Sequence, residues 1–212
     1  GIATYLRSVI QNDLIAWCKE RNIDLWESGL KIYTTLDSRM QQYAEEAMEE
    51  SMKVQQKAFD THWQGKNPWI DENWREIKGY LQSKIKQTDT YKNLVAKYGA
   101  GDDSVNIMLN LKKRMTVFSW DGERDTLFSS MDSLNYYKRF LNCGFMSMDP
   151  TSGAIKAWVG GINHKYFKYD HVRQGKRQPG SSFKPFVYGT AIEQGYNPCQ
   201  KFQDVSPTIT IP

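Results

Sequence analysis

Ser181 and Lys184 are the residues of this sequence whose types and spacing suit covalent chemistry. A serine hydroxyl is a weak nucleophile and needs a base beside it. A lysine amine serves as that base only when burial or a neighbouring cation lowers its pKa. A spacing of three places the two side chains one turn apart if the segment is helical. Residues Ser182 to Ile192 are predicted to form that helix, with Phe183, Phe186, Val187 and Ile192 on a rough apolar face and Ser181 at the N-terminus. There the helix dipole and free N–H groups favour a developing oxyanion. Gly180 permits a tight entry into the helix, and Pro185 lies in the first turn, where its missing N–H costs little. A bare Ser-x-x-Lys is equally what an N-cap serine followed by a solvated lysine looks like, so the surrounding residues must decide.

Those residues, Arg177-Gln178-Pro179-Gly180-Ser181-Ser182-Phe183-Lys184-Pro185-Phe186, resemble the nucleophile segment of class A penicillin-binding proteins, the bifunctional cell-wall synthases. Two further segments agree and come in the family's order. Gly29-Leu30-Lys31-Ile32-Tyr33-Thr34-Thr35-Leu36-Asp37, with Gln41 following, resembles the stretch between glycosyltransferase and transpeptidase domains. Met148 to Gly161, reading MDPTSGAIKAWVGG, resembles the first transpeptidase hairpin.

The resemblance implies an α+β fold: a helical linker region plus the incomplete start of a penicillin-binding-protein or serine-β-lactamase-like transpeptidase domain. It divides the chain into residues 1–28, a helix following an absent glycosyltransferase domain; 29–142, a linker region with a helical insertion; and 143–212, the N-terminal part of the transpeptidase domain. The implied function is serine acyl transfer on D-Ala-D-Ala stem peptides, with Ser181 as nucleophile and Lys184 as base. Implied partners are peptidoglycan stem peptides, β-lactams and other cell-wall synthesis proteins. The parent would sit at the periplasmic face of the inner membrane, anchored by an N-terminal helix, and no cofactor or metal is implied. The family completes its site with a Ser-x-Asn motif and a Lys-Thr-Gly or Lys-Ser-Gly strand, and neither follows Lys184. Ser133-Leu134-Asn135 matches Ser-x-Asn but precedes the nucleophile, the wrong order. The chain alone is therefore expected to be inactive. A competing reading is a non-catalytic linker or interaction module. A β-lactamase or penicillin sensor would share Ser-x-x-Lys but would not explain the Gly29–Asp37 segment.

Composition narrows the classes further. A net charge of +4 over 212 residues, with no clustered basic stripe, argues against a nucleic-acid binder. No apolar run is long enough to span a bilayer and none reads as a signal peptide, so the chain is expected to be an excised piece. Cys18, Cys143 and Cys199 are far apart and odd in number, which reads as free thiols, with one disulfide and a leftover thiol as the alternative. His62, His164 and His171 form no ligand cluster, and no metal is expected.

The remaining elements must position the serine and lysine. Ile2, Tyr5, Leu6, Val9, Ile10 and Trp17 recur at helical spacing, predicting an amphipathic helix to about Glu20 that lacks its upstream packing partner. Alternation from Leu30 to Leu36 predicts a strand. Asp37 or Ser38 is then expected to cap a helix, with a Ser38–Gln41 capping box and Met40, Tyr43, Ala44, Ala47, Met48, Ser51 and Met52 inward. Glu45, Glu46, Glu49 and Glu50 read as a solvated face rather than a cation site. Phe59 to Leu111 reads as helical, with caps at Asp71 and at Thr88 or Asp89 and a stop at Gly99. Trp63, Trp69 and Trp74 read as core anchors before a sugar-stacking platform. Met115–Trp120 and Glu123–Phe128 are expected to form a hairpin across Asp121-Gly122, followed by a helix capped by Asp132 or Ser133. Gly144–Met148 and Ala154–Val159 form the next strand pair. The outer edge of the first is expected to stay open and to recruit the chain's own tail or a second copy. Asn163 to Pro179 reads as a basic, aromatic approach loop, and Thr208 to Ile211 as a short strand.

Overall fold

A computed structural model describes residues 1–201, so the expected strand at Thr208–Ile211 lies outside the described residues. The chain forms two compact units, Gly1–Gly175 and Lys176–Pro212. The architecture is α+β, as the motifs implied.

The first unit opens with α1 (Thr4–Glu20), where periodicity placed it. The expected missing partner is found inside the unit: Ala3, Tyr5 and Leu6 form one buried cluster with Trp158, joined by Val9, Ile10, Leu36, Ile155 and Val172. Residues 30–36, expected as a strand, join no ladder. Their alternation is real, but Leu30, Ile32 and Tyr33 are exposed and no neighbouring strand supplies partners among the described residues. Only the end of the segment bonds to the sheet described below. The Thr35 hydroxyl donates to the Ile155 carbonyl at 2.8 Å and the Asp37 N–H to that of Lys156 at 3.0 Å.

Helix α2 (Ser38–His62) starts at Asp37, whose carboxylate accepts from the N–H groups of Arg39 and Met40. The expected Ser38–Gln41 box is not formed, because Gln41 is engaged elsewhere. It is fully buried, donating to the Trp158 carbonyl at 2.9 Å while accepting the Trp158 N–H at 2.7 Å. Gln56 repeats the arrangement, donating to the Arg139 carbonyl and accepting from Leu141 N–H. The inward face of α2 is thus Gln41, Met48, Met52 and Gln56, while Met40 and Tyr43 are exposed. The amides replace missing ladder bonds, which buried backbone groups require.

The helix expected from Asp71 shortens to α3 (Tyr80–Ile85). Asp71 instead caps a turn through Asn73 and Arg75, and Trp74 takes a left-handed conformation there. Then come α4 (Asp89–Tyr98), capped by Thr88 and ended at Gly99, and α5 (Asp103–Asn110), capped by Asp102. Ile85, Val105 and Leu109 form their shared core. β1 (Lys113–Ser119) and β2 (Gly122–Phe128) pair antiparallel as the expected hairpin, but across Trp120-Asp121, one residue before the expected Asp121-Gly122 turn, because Gly122 already pairs with Ser119. Helix α6 (Ser130–Lys138) begins earlier than expected, because Ser129 and Asp132 close a reciprocal capping box. Phe118, Met52 and Ile162 join the hairpin to α2 and to the segment after the next sheet.

That sheet is β3 (Phe145–Met148) and β4 (Ile155–Val159), antiparallel as expected, with an irregularity between Ser147 and Met148. Its two edges differ. Thr35, Asp37 and Gln41 seal the outer edge of β4. The outer edge of β3 has no ladder partner among the described residues, and Phe145, Met146 and Met148 are exposed.

Past β4, Gly160-Gly161 meet Tyr5 and Asp170 at close quarters. A Cβ on Gly161 would lie 2.5 Å from the Tyr5 hydroxyl oxygen, and one on Gly160 would lie 2.6 Å from an Asp170 oxygen. The approach loop is therefore folded rather than merely solvated. Tyr5 donates to the Phe167 carbonyl at 2.6 Å, Arg173 forks onto Asp13 at 3.0 and 3.3 Å, and Lys165 pairs with Glu123.

In the second unit, a 3₁₀ turn at Gly180–Phe183 runs into α7 (Lys184–Glu193). The end of α7 is a Schellman motif: Gly195 N–H donates to the Ile192 carbonyl and Tyr196 N–H to that of Ala191.

Candidate active site

Ser181 and Lys184 fall on that 3₁₀ turn and the first α-helical residue after it. The Lys184 N–H donates to the Ser181 carbonyl, so a single tight hydrogen-bonded turn separates them. The expected α-helix from Ser182 begins two residues later, because the entry winds as 3₁₀. Gly180 adopts φ 54°, a left-handed conformation that a side chain disfavours. It turns the chain into the helix and puts the serine at the entry. Pro185 sits in the first turn of α7, where its missing N–H leaves no bond unmade.

Both side chains are open to solvent, and among the described residues neither has a hydrogen-bond or ion-pair partner. The turn places a hydroxyl and an amine one turn apart at a helix entry whose free N–H groups suit an oxyanion. Lys184 is exposed among the described residues.

The helix itself is apolar on several sides. Phe183, Phe186, Val187, Tyr188 and Ile192 are all largely exposed. Val187, Tyr188, Ala191, Ile192, Tyr196 and Pro198 line an open groove of about 630 Å³. A helix apolar all round is built to be surrounded by other elements.

Other sequence candidates resolve more simply. Trp69 stacks on Tyr80 at 4.5 Å, Trp63 packs edge-on against His62, and Trp74 is exposed, so the three tryptophans share no platform. Glu45 is not solvated as expected: it accepts the Ala3 N–H and the Gln41 amide. Glu49 pairs with Lys53 on the helix surface. All three cysteines are free, and burial pushes the Cys143 thiol pKa up, away from reactivity. Among the described residues no group of three His, Cys, Asp or Glu side chains could hold a metal ion. No described helix is long and apolar enough to cross a membrane.

Sequence reading did not foresee the bonding roles of Gln41, Gln56, Tyr5 and Asp170, which hold together the elements upstream of Gly180. Asp170 accepts the Trp158 indole N–H at 3.0 Å and caps Val172 and Arg173. Burial drives the Tyr5 phenol pKa far above its ordinary value. The available signal was a polar residue at a core register, Gln41 and Gln56 falling on the same side of α2 as Met48 and Met52.

Known proteins resemble this chain over most of its length. Residues 64–141 match the penicillin-binding protein middle domain family. That match takes in most of the region read from sequence as a helical insertion. Penicillin-binding protein 1A of Rickettsia felis is 27% identical over 221 residues, covering 95% of this chain and 27% of the relative. The protein of that name from Haemophilus influenzae is 26% identical over 230 residues, covering 99% of this chain and 26% of the relative. The one from Pseudomonas aeruginosa is 44% identical over 59 residues, 28% of this chain and 7% of the relative. Over nearly its whole length the chain is thus similar to proteins named penicillin-binding protein 1A, and residues 64–141 carry the family's middle domain. It spans about a quarter of the length of the curated relatives that match most of it.

Proposed function

We propose that this chain carries the nucleophile of a serine-type D,D-transpeptidase within a bifunctional cell-wall synthase. The observation that carries the reading is Ser181 and Lys184 joined by one hydrogen-bonded turn at the glycine-led entry of an apolar helix. In the mechanism, the Lys184 amine takes the Ser181 hydroxyl proton. The serine oxygen attacks the carbonyl carbon between the two terminal D-alanines of a stem peptide. The N–H of Ser181 offers the developing oxyanion one donor. Collapse breaks the C–N bond, and D-alanine leaves with a proton returned by the lysine. An amine from a neighbouring stem peptide then attacks the ester, forming the cross-link and restoring the serine hydroxyl. β-Lactams acylate the same oxygen, and no cofactor or metal takes part.

The working division is 1–28, 29–142 and 143–212, with a glycosyltransferase domain elsewhere in a parent anchored at the periplasmic face of the inner membrane. Relatives named penicillin-binding protein 1A over nearly the whole chain support this setting. The free edge of β3 is the place for self-association or for a further strand of the parent. The 212-residue chain alone is inactive in this reading, because its serine and lysine stand in solvent. The test uses the full-length parent and a fluorescent penicillin. Wild type labels and Ser181→Ala does not; labelling that persists in Ser181→Ala refutes the assignment.

A second reading has a specific observation behind it. The middle-domain region keeps its own small core around Ile85, Val105 and Leu109, and Ile107, Leu111 and Leu127 remain exposed. An interaction module for cell-wall machinery would account for that surface, and it predicts no labelling of the folded wild-type parent.

A further inference from the structure

We propose that the small cavity between α1 and the loop 163–174 binds one oxyanion, a carboxylate or a phosphate group. The cavity measures about 220 Å³ and is lined by Ser8 and Asn12 of α1 and by His164, Lys168, Asp170 and Arg173 of the loop. That is below the usual size of a substrate pocket and suits a single charged group.

The donors are uncommitted. Ser8 and Asn12 are four apart on α1 and so share a helix face. Their side chains and the Lys168 ammonium have no hydrogen-bond or ion-pair partner among the described residues. The other charges of the lining are already engaged. Asp170 is buried, with one oxygen accepting the Trp158 indole and the other the N–H groups of Val172 and Arg173. Arg173 is held bidentate by Asp13. Lys168 is thus a cation of the lining with no direct ion pair, beside a hydroxyl and an amide, the set that receives an oxyanion.

Surrounding electrostatics agree. His164, stacked edge-on against Tyr5, is held toward its neutral form by burial first and then by Lys168 and Arg7, with Asp170 opposing. An anion on Lys168 would relieve that field. Lys168 also lines the adjoining groove of about 670 Å³. There Glu45, Glu46 and Glu49 already accept from Gln41, Gln42 and Lys53, and Lys165 is paired with Glu123. Glu45 and Glu46 keep their negative charge, having only neutral amide donors, so the anion is expected on the cavity side of Lys168, beside Ser8 and Asn12, and not in that acidic groove.

The test titrates the whole 212-residue chain with inorganic phosphate and, separately, with acetate, at constant ionic strength and pH. The readout is the NMR signals of the Ser8 and Asn12 amides and the His164 ring. Saturating shifts with either ion support the site. Preference for phosphate points to a phosphorylated ligand, and preference for acetate to a peptide carboxylate. Lys168→Gln is expected to weaken binding about tenfold, the scale of one lost charge-assisted hydrogen bond. Lys113→Gln, on the distant hairpin, is expected to leave it unchanged. Shifts that never saturate, or that saturate equally in Lys168→Gln, overturn the proposal.

Discussion

Gln41 shows how much one side chain decides. Its amide replaces a strand along β4, satisfying both the N–H and the carbonyl of Trp158 in a fully buried position. Replacing it with Leu keeps the volume but orphans both backbone groups. Gln41→Leu should cost about 2 to 4 kcal/mol, since each buried unsatisfied group costs about 1–3 kcal/mol. Gln42→Leu, on the exposed side, should cost under about 0.5 kcal/mol. Urea denaturation midpoints of both variants decide this, and equal losses would contradict it. His164 carries a pH prediction. Its folded-state pKa lies below the ordinary 6.5, so the unfolded chain binds the proton more readily. Its contribution to stability is full above pH 6.5 and is lost as pH falls through the folded value. The stability drop between pH 7.5 and 5.5, read by thermal unfolding, should therefore be smaller in His164→Gln than in wild type.

At the scale of elements, α1 is built against β4 and the loop that follows it. Tyr5 reaches over Gly161 to the Phe167 carbonyl, and there is no room for a methyl group between them. Gly161→Ala should destabilise the chain by about 1–3 kcal/mol, the usual cost of overpacking. Combining it with Tyr5→Ala should recover part of that loss relative to the sum of the two single changes. Strict additivity would place the clash elsewhere. Legibility varied by element for physical reasons. The β1–β2 hairpin, α1, α4 and the β3–β4 pair were written in local signals: Asp-Gly at the turn, helical periodicity, Thr88 before the helix and Gly99 after it. Residues 30–36 carried a strand pattern, but a ladder needs a neighbour that local alternation cannot supply. The inward face of α2 was misread because two buried glutamines look like surface residues until their backbone partners, 117 and 83 residues away, are known.

For the whole molecule, motif and fold carry different parts of the account. The Ser-x-x-Lys segment was legible as chemistry from its neighbours between Arg177 and Phe186, and its local geometry agrees: a left-handed Gly180, a tight turn and Pro185 in the first turn of α7. Its environment was not legible, because the exposed Phe183, Phe186, Val187 and Ile192 need partners that the described residues do not provide. The isolated 212-residue chain should therefore acylate with a β-lactam far more slowly than the parent. Intact-mass detection of stoichiometric adduct within minutes would contradict that. The central claim is best tested by locating the acyl group itself. The full-length parent, acylated by a β-lactam and digested with trypsin, should carry the added mass on the peptide spanning 178–201, and fragmentation should assign it to Ser181. An adduct on Ser182, or on another peptide, would contradict the account.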